Sequence, residues 1–459
     1  MVDFHPLSYN QELMLAFGAE VGFGAARWNH QVLFDLAEYD DADFRSALAR
    51  LCLRHEILRT RIGQRAGRRC QVVEPPGGPL PHRVEHSGDT RLDETAEREL
   101  STPFDLYSSP LFRSVALPRA DGGAWLVLTL NHLASDRESE IMLAAELADH
   151  YEHAAAGRDL EPAPDQYADF ARWQRVQVAR YLREPASAPP WLDYENLVRA
   201  LGDSEPRRPR DRVAGTRPRE ALMPAPDPTR REAALEFTAT DMTTLTAYCR
   251  TQKVTLNTVF LAALATAIWT DPDLGVGLLL GEKTVRYPYR FAQTLGPFPD
   301  LWPIGRPAGG ADFPRMLAAI HNQVLQAMDV ALPFFVLVRR TPWLAKELFN
   351  PRRGRWVFYQ YFNEAPSCTA GYTRVAGFEF PDSFGEQSDI FGLHLQLCLD
   401  RGLLRARLSY RMDSFGQRDL ALLVDRVRDV LRHATGQPFS LVLADSPEPV
   451  ATGRLVARG

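Results

Sequence analysis

Asn131-His132-Leu133-Ala134-Ser135-Asp136-Arg137 is the stretch of this sequence best suited to chemistry. His132 follows the apolar run Trp125–Leu130, and Asp136 stands where the next helical pattern begins. Loops that leave strand ends are where a rigid scaffold presents reactive groups. Of the side chains in this loop only an imidazole ordinarily titrates near neutral pH. His132 is therefore expected to accept a proton from an attacking amine or alcohol. Asp136 is expected either to accept backbone N–H bonds at the helix start or to pair with an arginine and hold the loop. The H-x-x-x-D spacing is a weak signal by itself, and a capped loop with an incidental histidine is the plain alternative.

The other histidines offer less. His55 ends a helical pattern within Arg54-His55-Glu56 and reads as structural. His150 and His153 lie three residues apart on one helix, without further metal ligands nearby, and His394 falls in a strand pattern. No G-x-S-x-G elbow, H-E-x-x-H or phosphate-binding glycine loop is present; Gly281-Glu282-Lys283-Thr284 ends in G-x-K-T without the preceding glycine loop.

The elements that must position the loop alternate between helix and strand, an α/β pattern. Ser8-x-x-Gln11 is a capping box that opens a helix over Gln11 to Phe17. Asp41 is the expected cap of a helix reaching His55. Ser135-x-x-Glu138 reads as a second capping box, with Ile141, Ala144, Ala145, Ala148 and Tyr151 on one face of a helix running to Gly157. Further on, a strand is expected over Ala234–Phe237 and helices over Asp241–Thr251 and Thr255–Trp269. Val276–Leu280 and Trp356–Tyr361 read as central strands. Leu393–Leu399 and Leu403–Tyr410 read as a hairpin around Asp400-Arg401-Gly402, and a last helix covers Gln417–Ala434.

The chain has 459 residues, more than one ordinary core accommodates. The Pro- and Arg-rich stretch 183–231 is the clearest connection, dividing the chain into an N-terminal lobe, 1–182, and a C-terminal lobe, 232–459. A net charge of −5 gives no sign of a nucleic-acid partner. Five widely spaced cysteines support neither a disulfide framework nor a metal site. The N-terminus does not resemble a signal peptide, and no apolar run reaches the ~18 residues of a membrane span. A cytoplasmic protein with no membrane partner is expected.

Several segments together resemble the condensation-domain superfamily of nonribosomal peptide synthetases. Pro6-Leu7-Ser8-Tyr9-Asn10-Gln11 is similar to the first family motif. RHEILRT over residues 54–60 matches the second at every defined position. Phe104-Asp105-Leu106 with Pro110-Leu111-Phe112-Arg113 resembles the FDLxxxPLxR stretch, residues 131–137 align with HHxxxDG, and YADFARWQ over 167–174 resembles YxDYAxWQ. The likeness is looser later: residues 296–301 stand where the family has GxFVNT, 355–363 where it has FQVxFVxQN, Ser388-Asp389-Ile390 at its FDL strand start, and 410–415 at YNxxLF.

The resemblance implies two chloramphenicol acetyltransferase-like lobes arranged in a V, with the active site and a tunnel at their interface. It implies a free-standing acyltransferase of natural-product biosynthesis. Such an enzyme joins a thioester on the phosphopantetheine of an acyl or peptidyl carrier protein, or on CoA, to a small amine or alcohol, with no bound cofactor or metal. His132 matches the reactive histidine. Asp136 matches an aspartate that holds the loop through an arginine, for which Arg59 and Arg61 are the candidates here. Ser135 of the loop, with Trp302 and Tyr359 from the two looser motifs, completes the set of supporting or substrate-gating candidates.

Three positions depart from the family pattern. The first motif histidine is Asn131, which can hydrogen-bond but not titrate. The glycine is Arg137, a cation able to narrow the approach or bind an anionic group. The FVNT asparagine is Asp300, within a proline-rich stretch that carries Trp302. Two further readings follow from these changes: a catalytically inactive docking module, and an atypical reaction of a bound thioester in the same cleft.

Overall fold

The computed structural model describes residues 2–21, 28–85, 92–108, 110–152, 165–183, 230–284, 286, 288–307, 312–328, 332–348, 355–363, 369–370, 373–379, 391–400 and 402–445. Residues 184–229 of the expected connection, Cys368, Ser388-Asp389-Ile390, Arg401 of the expected hairpin turn, and the expected helix end at Gly157 lie outside them.

The first unit opens with β1 (Asp3–Pro6) and α1 (Tyr9–Val21). Ser8 and Gln11 form the expected capping box, each side chain meeting the other's backbone N–H at 3.1 Å. There follow β2 (Asn29–Leu36), α2 (Asp41–Arg54), β3 (Thr60–Arg65), β4 (Arg68–Val73), β5 (His82–Val84), α3 (Leu92–Ser101), β6 (Phe112–Pro118), β7 (Ala124–Asn131), α4 (Arg137–Glu152) and α5 (Tyr167–Arg183). The cap of α2 is Asp40, not Asp41: Asp40 accepts the Asp43 N–H, while Asp41 bonds Tyr39 and Arg45.

The second unit contains β8 (Arg230–Glu236), α6 (Ala239–Gln252), α7 (Leu256–Thr270), β9 (Leu278–Thr284), β10 (Pro299–Pro303), α8 (Phe313–Met328), α9 (Phe334–Arg340), α10 (Pro342–Leu348) and β11 (Trp356–Asn363). After β12 (Thr369–Ala370) and β13 (Thr373–Glu379), the chain continues as β14 (Gly392–Asp400), β15 (Leu403–Arg411), α11 (Gln417–Thr435) and β16 (Val442–Asp445). α7 is apolar all round, and Thr258 to Ile268 are buried without a break, as a core helix requires.

The units are not the two halves of the chain. Residues 285–299 and 365–383 group with residues 1–185, so the expected C-terminal lobe 232–459 contributes two segments to the first unit. In that unit β1, β4 and β3 form one small sheet, and a six-stranded sheet runs β12-β13-β2-β7-β6-β5. The seven-stranded sheet of the second unit runs β10-β9-β11-β14-β15-β8-β16, with the expected β14–β15 hairpin antiparallel and β9, β11 and β14 parallel. β7 lies between β2 and β6, and from Leu126 to Asn131 every residue is buried. That placement fixes the strand end from which the His132 loop leaves.

Candidate active site

Asn131 ends β7 directly opposite Asn29 of β2. Its amide reaches Asn29 Oδ1 at 3.2 Å and accepts the Leu133 N–H at 3.1 Å. The Asn131 amide thus ties the loop to β2 and to its own backbone. Leu133 O accepts from Gln11 Nε2 at 3.1 Å, and the His132 N–H donates to Trp28 O at 2.6 Å. The loop is pinned from α1, β2 and its own strand before any side chain of the reactive position is considered.

His132 is half-buried. Its Nδ1 meets Ser135 O at 2.5 Å. A carbonyl only accepts, so the neutral ring carries its proton on Nδ1 and presents Nε2 as an acceptor. Burial, with the nearby His30 adding to it, drives the imidazole down to about 3, against the pull of the Ser135 carbonyl. The expectation of titration near neutral pH is therefore corrected: His132 is neutral throughout the physiological range because a charge in this setting loses its hydration.

Asp136 caps α4 by accepting the Ser139 N–H at 2.7 Å. The expected Ser135–Glu138 capping box does not form. Ser135 turns its hydroxyl to Glu140 Oε1 at 3.2 Å, and Glu138 pairs with Arg286. The arginine of Asp136 is Arg286, at 2.5 Å, and neither Arg59 nor Arg61. Arg61 pairs with Glu74 at 2.8 Å, and Arg59 donates to the Cys52 and Glu74 carbonyls and to Glu56. Arg59 stands just before β3 and Arg61 near its start, where neighbouring acids engage them.

Arg286 also reaches Glu138, Ser139 Oγ and Thr294 O, and its guanidinium lies 4.2 Å from the Phe298 ring centre. The second Asp136 oxygen accepts the Phe298 N–H at 3.1 Å. Residues 296–299 are clamped further by Asn10, which donates to Phe298 O, and by Tyr167, whose hydroxyl donates to Pro297 O at 2.6 Å. Gly296, at φ +153°, passes so close to Tyr167 that a Cβ would fall 2.0 Å from its ring. No side chain larger than hydrogen fits there. The PLSYNQ and YADFARWQ residues therefore serve the site as its frame.

Arg137 is the first residue of α4 and is half-buried. Asp300, Trp302 and Tyr359 belong to the second unit and are buried there. Asp300 accepts the Phe334 N–H at 3.2 Å and stands 3.8 Å from Lys283 Nζ. Burial pushes its carboxyl up to about 6 and pushes Lys283 down. Trp302 packs over Gly281, whose added Cβ would meet its indole nitrogen at 2.6 Å. The Tyr359 hydroxyl donates to Asn257 at 2.8 Å.

Sequence reasoning missed three residues beside the loop: Arg286, His30 and Glu140. No spacing links Arg286 to Asp136. Glu140 is hidden by a rotation of the helix face: the buried side of α4 is Glu140, Leu143, Ala144, Leu147 and Ala148, and Ala145, expected inside, is exposed. His55 and His394 have the structural roles expected of them, bonded to Glu146 at 2.7 Å and to Gln360 at 2.6 Å.

The Condensation domain family model matches residues 1–443. Cyclosporin synthetase simA of Tolypocladium inflatum is 33% identical over 235 residues, 48% of this chain and 1% of that protein. Phosphinothricin tripeptide synthetase PhsC of Streptomyces viridochromogenes is 33% identical over 323 residues, 64% of this chain and 27% of that protein. The chain thus spans a minor part of the length of these relatives. Among solved structures, SgcC5 of Streptomyces globisporus matches with a TM-score of 0.65 at 23% identity, covering 94% of this chain and 99% of that one. The X-domain of teicoplanin biosynthesis, solved in complex with OxyB, matches with a TM-score of 0.68 at 19% identity, covering 95% of each. The fold is that of condensation domains, chloramphenicol acetyltransferase-like, and by its family match the chain belongs to the Condensation domain family.

Proposed function

We propose that this chain catalyses acyl transfer from a thioester, carried on the phosphopantetheine of a carrier protein or on CoA, to a small-molecule amine or alcohol. The observation that carries the reading is the contact of His132 Nδ1 with the Ser135 carbonyl, which leaves Nε2 as an acceptor. In the reaction the acceptor nitrogen or oxygen attacks the thioester carbonyl, a C–N or C–O bond forms, and the C–S bond breaks. The acceptor's proton leaves with the departing thiolate as a thiol.

A ring held near pKa 3 is a poor resting place for that proton. Its contribution is to accept the hydrogen bond of the incoming N–H or O–H and aim the lone pair at the carbonyl, while binding supplies proximity. Asp136 and Arg286 hold the loop and do not take part in proton transfer.

Intact-mass assays of acyl-carrier thioesters against a panel of amines and alcohols test the reading. Product should form with the unaltered protein and fall at least tenfold in His132→Ala, with carrier binding retained. Unchanged turnover in that variant removes His132 from the mechanism. Asn131 and Arg137 favour a second reading, docking without catalysis; there no thioester yields product and partner binding survives His132→Ala.

A further inference from the structure

Behind His132 lies a polar pair that the acyl-transfer reading does not use. His30, on β2, places Nδ1 2.9 Å from Glu140 Oε1. The His30 and His132 ring centres are 4.4 Å apart. Glu140 is fully buried on the inner face of α4, and its Oε2 has no hydrogen-bond partner among the described residues. Ser135 closes the figure: its hydroxyl donates to Glu140 Oε1 at 3.2 Å and its carbonyl holds His132 Nδ1 at 2.5 Å.

The four residues thus form one ring of contacts from β2, the loop and α4: His132 to Ser135, Ser135 to Glu140, Glu140 to His30, and His30 back to His132. A buried carboxylate is expensive, and apolar residues of similar volume commonly serve stability as well or better. Packing alone does not account for a glutamate here. What the ring does define is geometry. The helix carboxylate anchors both the serine that selects the His132 tautomer and the imidazole that abuts the His132 face.

We infer that His30 and Glu140 are positioning residues for His132, locking its ring orientation and its Nδ1–H tautomer so that Nε2 stays turned to the reacting acceptor. The inference rests on the acyl-transfer reading for its consequence in rate, but its structural content is independent of that reading. Burial keeps His132 neutral, so the choice of tautomer, and not of charge, decides whether Nε2 accepts.

The experiment is 15N NMR of histidine-labelled full-length protein, with His132 assigned by comparison with His132→Ala, together with steady-state kinetics. In the unaltered protein, the His132 Nδ1 should carry the proton signal and Nε2 the unprotonated shift. Glu140→Leu and His30→Leu should mix the two tautomers and lower kcat by about 10- to 100-fold, with donor KM changed less than about twofold. Glu140→Gln keeps the side-chain shape and covers the case in which Glu140→Leu does not fold. It can still accept from His30 and Ser135, so it should shift the tautomer ratio less than Glu140→Leu does. An unmixed Nδ1–H signal in folded Glu140→Leu and His30→Leu overturns the inference. Mixed tautomers without acyl transfer by any form leave the inference standing and remove the proposed reaction instead.

Discussion

Arg286 and Asp136 meet at 2.5 Å although 150 residues separate them in sequence. This pair joins the His132 loop to the 285–299 segment within the first unit. Both side chains are nearly buried, at 9% and 1% exposure; removing Arg286 takes away the counter-ion of Asp136, and removing Asp136 leaves Arg286 only Glu138 as an acidic partner. Asp136→Ala and Arg286→Leu should each cost about 3–5 kcal/mol in denaturant unfolding. Arg286→Lys should restore only part, because one ammonium cannot reach Asp136, Glu138 and Thr294 O together.

Asn131→Ala tests whether the amide holds the loop. It removes the acceptor for the Leu133 N–H and the bond to Asn29 inside a fully buried site. A loss of about 1–3 kcal/mol is expected in thermal or denaturant unfolding, with turnover falling alongside. An unchanged midpoint would show that the two backbone bonds of Asn131, to Leu111 O and from the Ala134 N–H, suffice.

His132 also makes a pH prediction. Its folded value, about 3, lies below the ordinary histidine value of 6.5. Between those values the unfolded chain binds the proton that the folded chain refuses, so this contribution to stability is present above pH 6.5 and is lost as pH falls toward 3. Unfolding midpoints measured at pH 7.5, 5.5 and 4.5 should fall less steeply in His132→Ala than in the unaltered protein.

In the second unit, Lys283 and Asp300 form a buried pair, and Lys283 Nζ has no hydrogen bond among the described residues. Lys283→Met alone should destabilise by about 3 kcal/mol or more, and Asp300→Asn alone should also destabilise by leaving Lys283 buried without its counter-ion. The double substitution Lys283→Met with Asp300→Asn should cost clearly less than the sum of the singles, since the introduced amide oxygen can keep the Phe334 N–H bond that Asp300 now accepts. Additive losses would mean the two groups do not sense each other.

Arg137 is tested by its removal. If its cation narrows the approach to the site or binds an anionic group, Arg137→Gly broadens the range of accepted donors or acceptors in the intact-mass panel, or weakens carboxylate-bearing ones specifically. A substrate profile identical to that of the unaltered protein dismisses both roles.

Local patterns carried much of this protein. Periodicity and turn residues located α1, α6, α7, β7, β11, the β14–β15 hairpin and α11 within a few residues, because apolar period and turn chemistry are written in neighbouring residues even where the strand's partner is distant. Strand β2 escaped: Asn29, His30 and Gln31 look like a polar loop, yet all are buried in mid-sheet. The helix caps slipped by one residue at Asp40 and Asp136, since neighbouring acids and serines compete equally for the same free N–H groups.

The sequence by itself determined the family and the α/β pattern, and it singled out the loop of His132 and Asp136 as the candidate site, since those depend on residue types at short fixed spacings. Only the tertiary structure decided that Arg286 answers Asp136, that His30 and Glu140 stand behind His132, and that the imidazole stays neutral. Those outcomes depend on which distant strands and helices pack together and on how much water the packing removes, and neither is encoded by spacing along the chain.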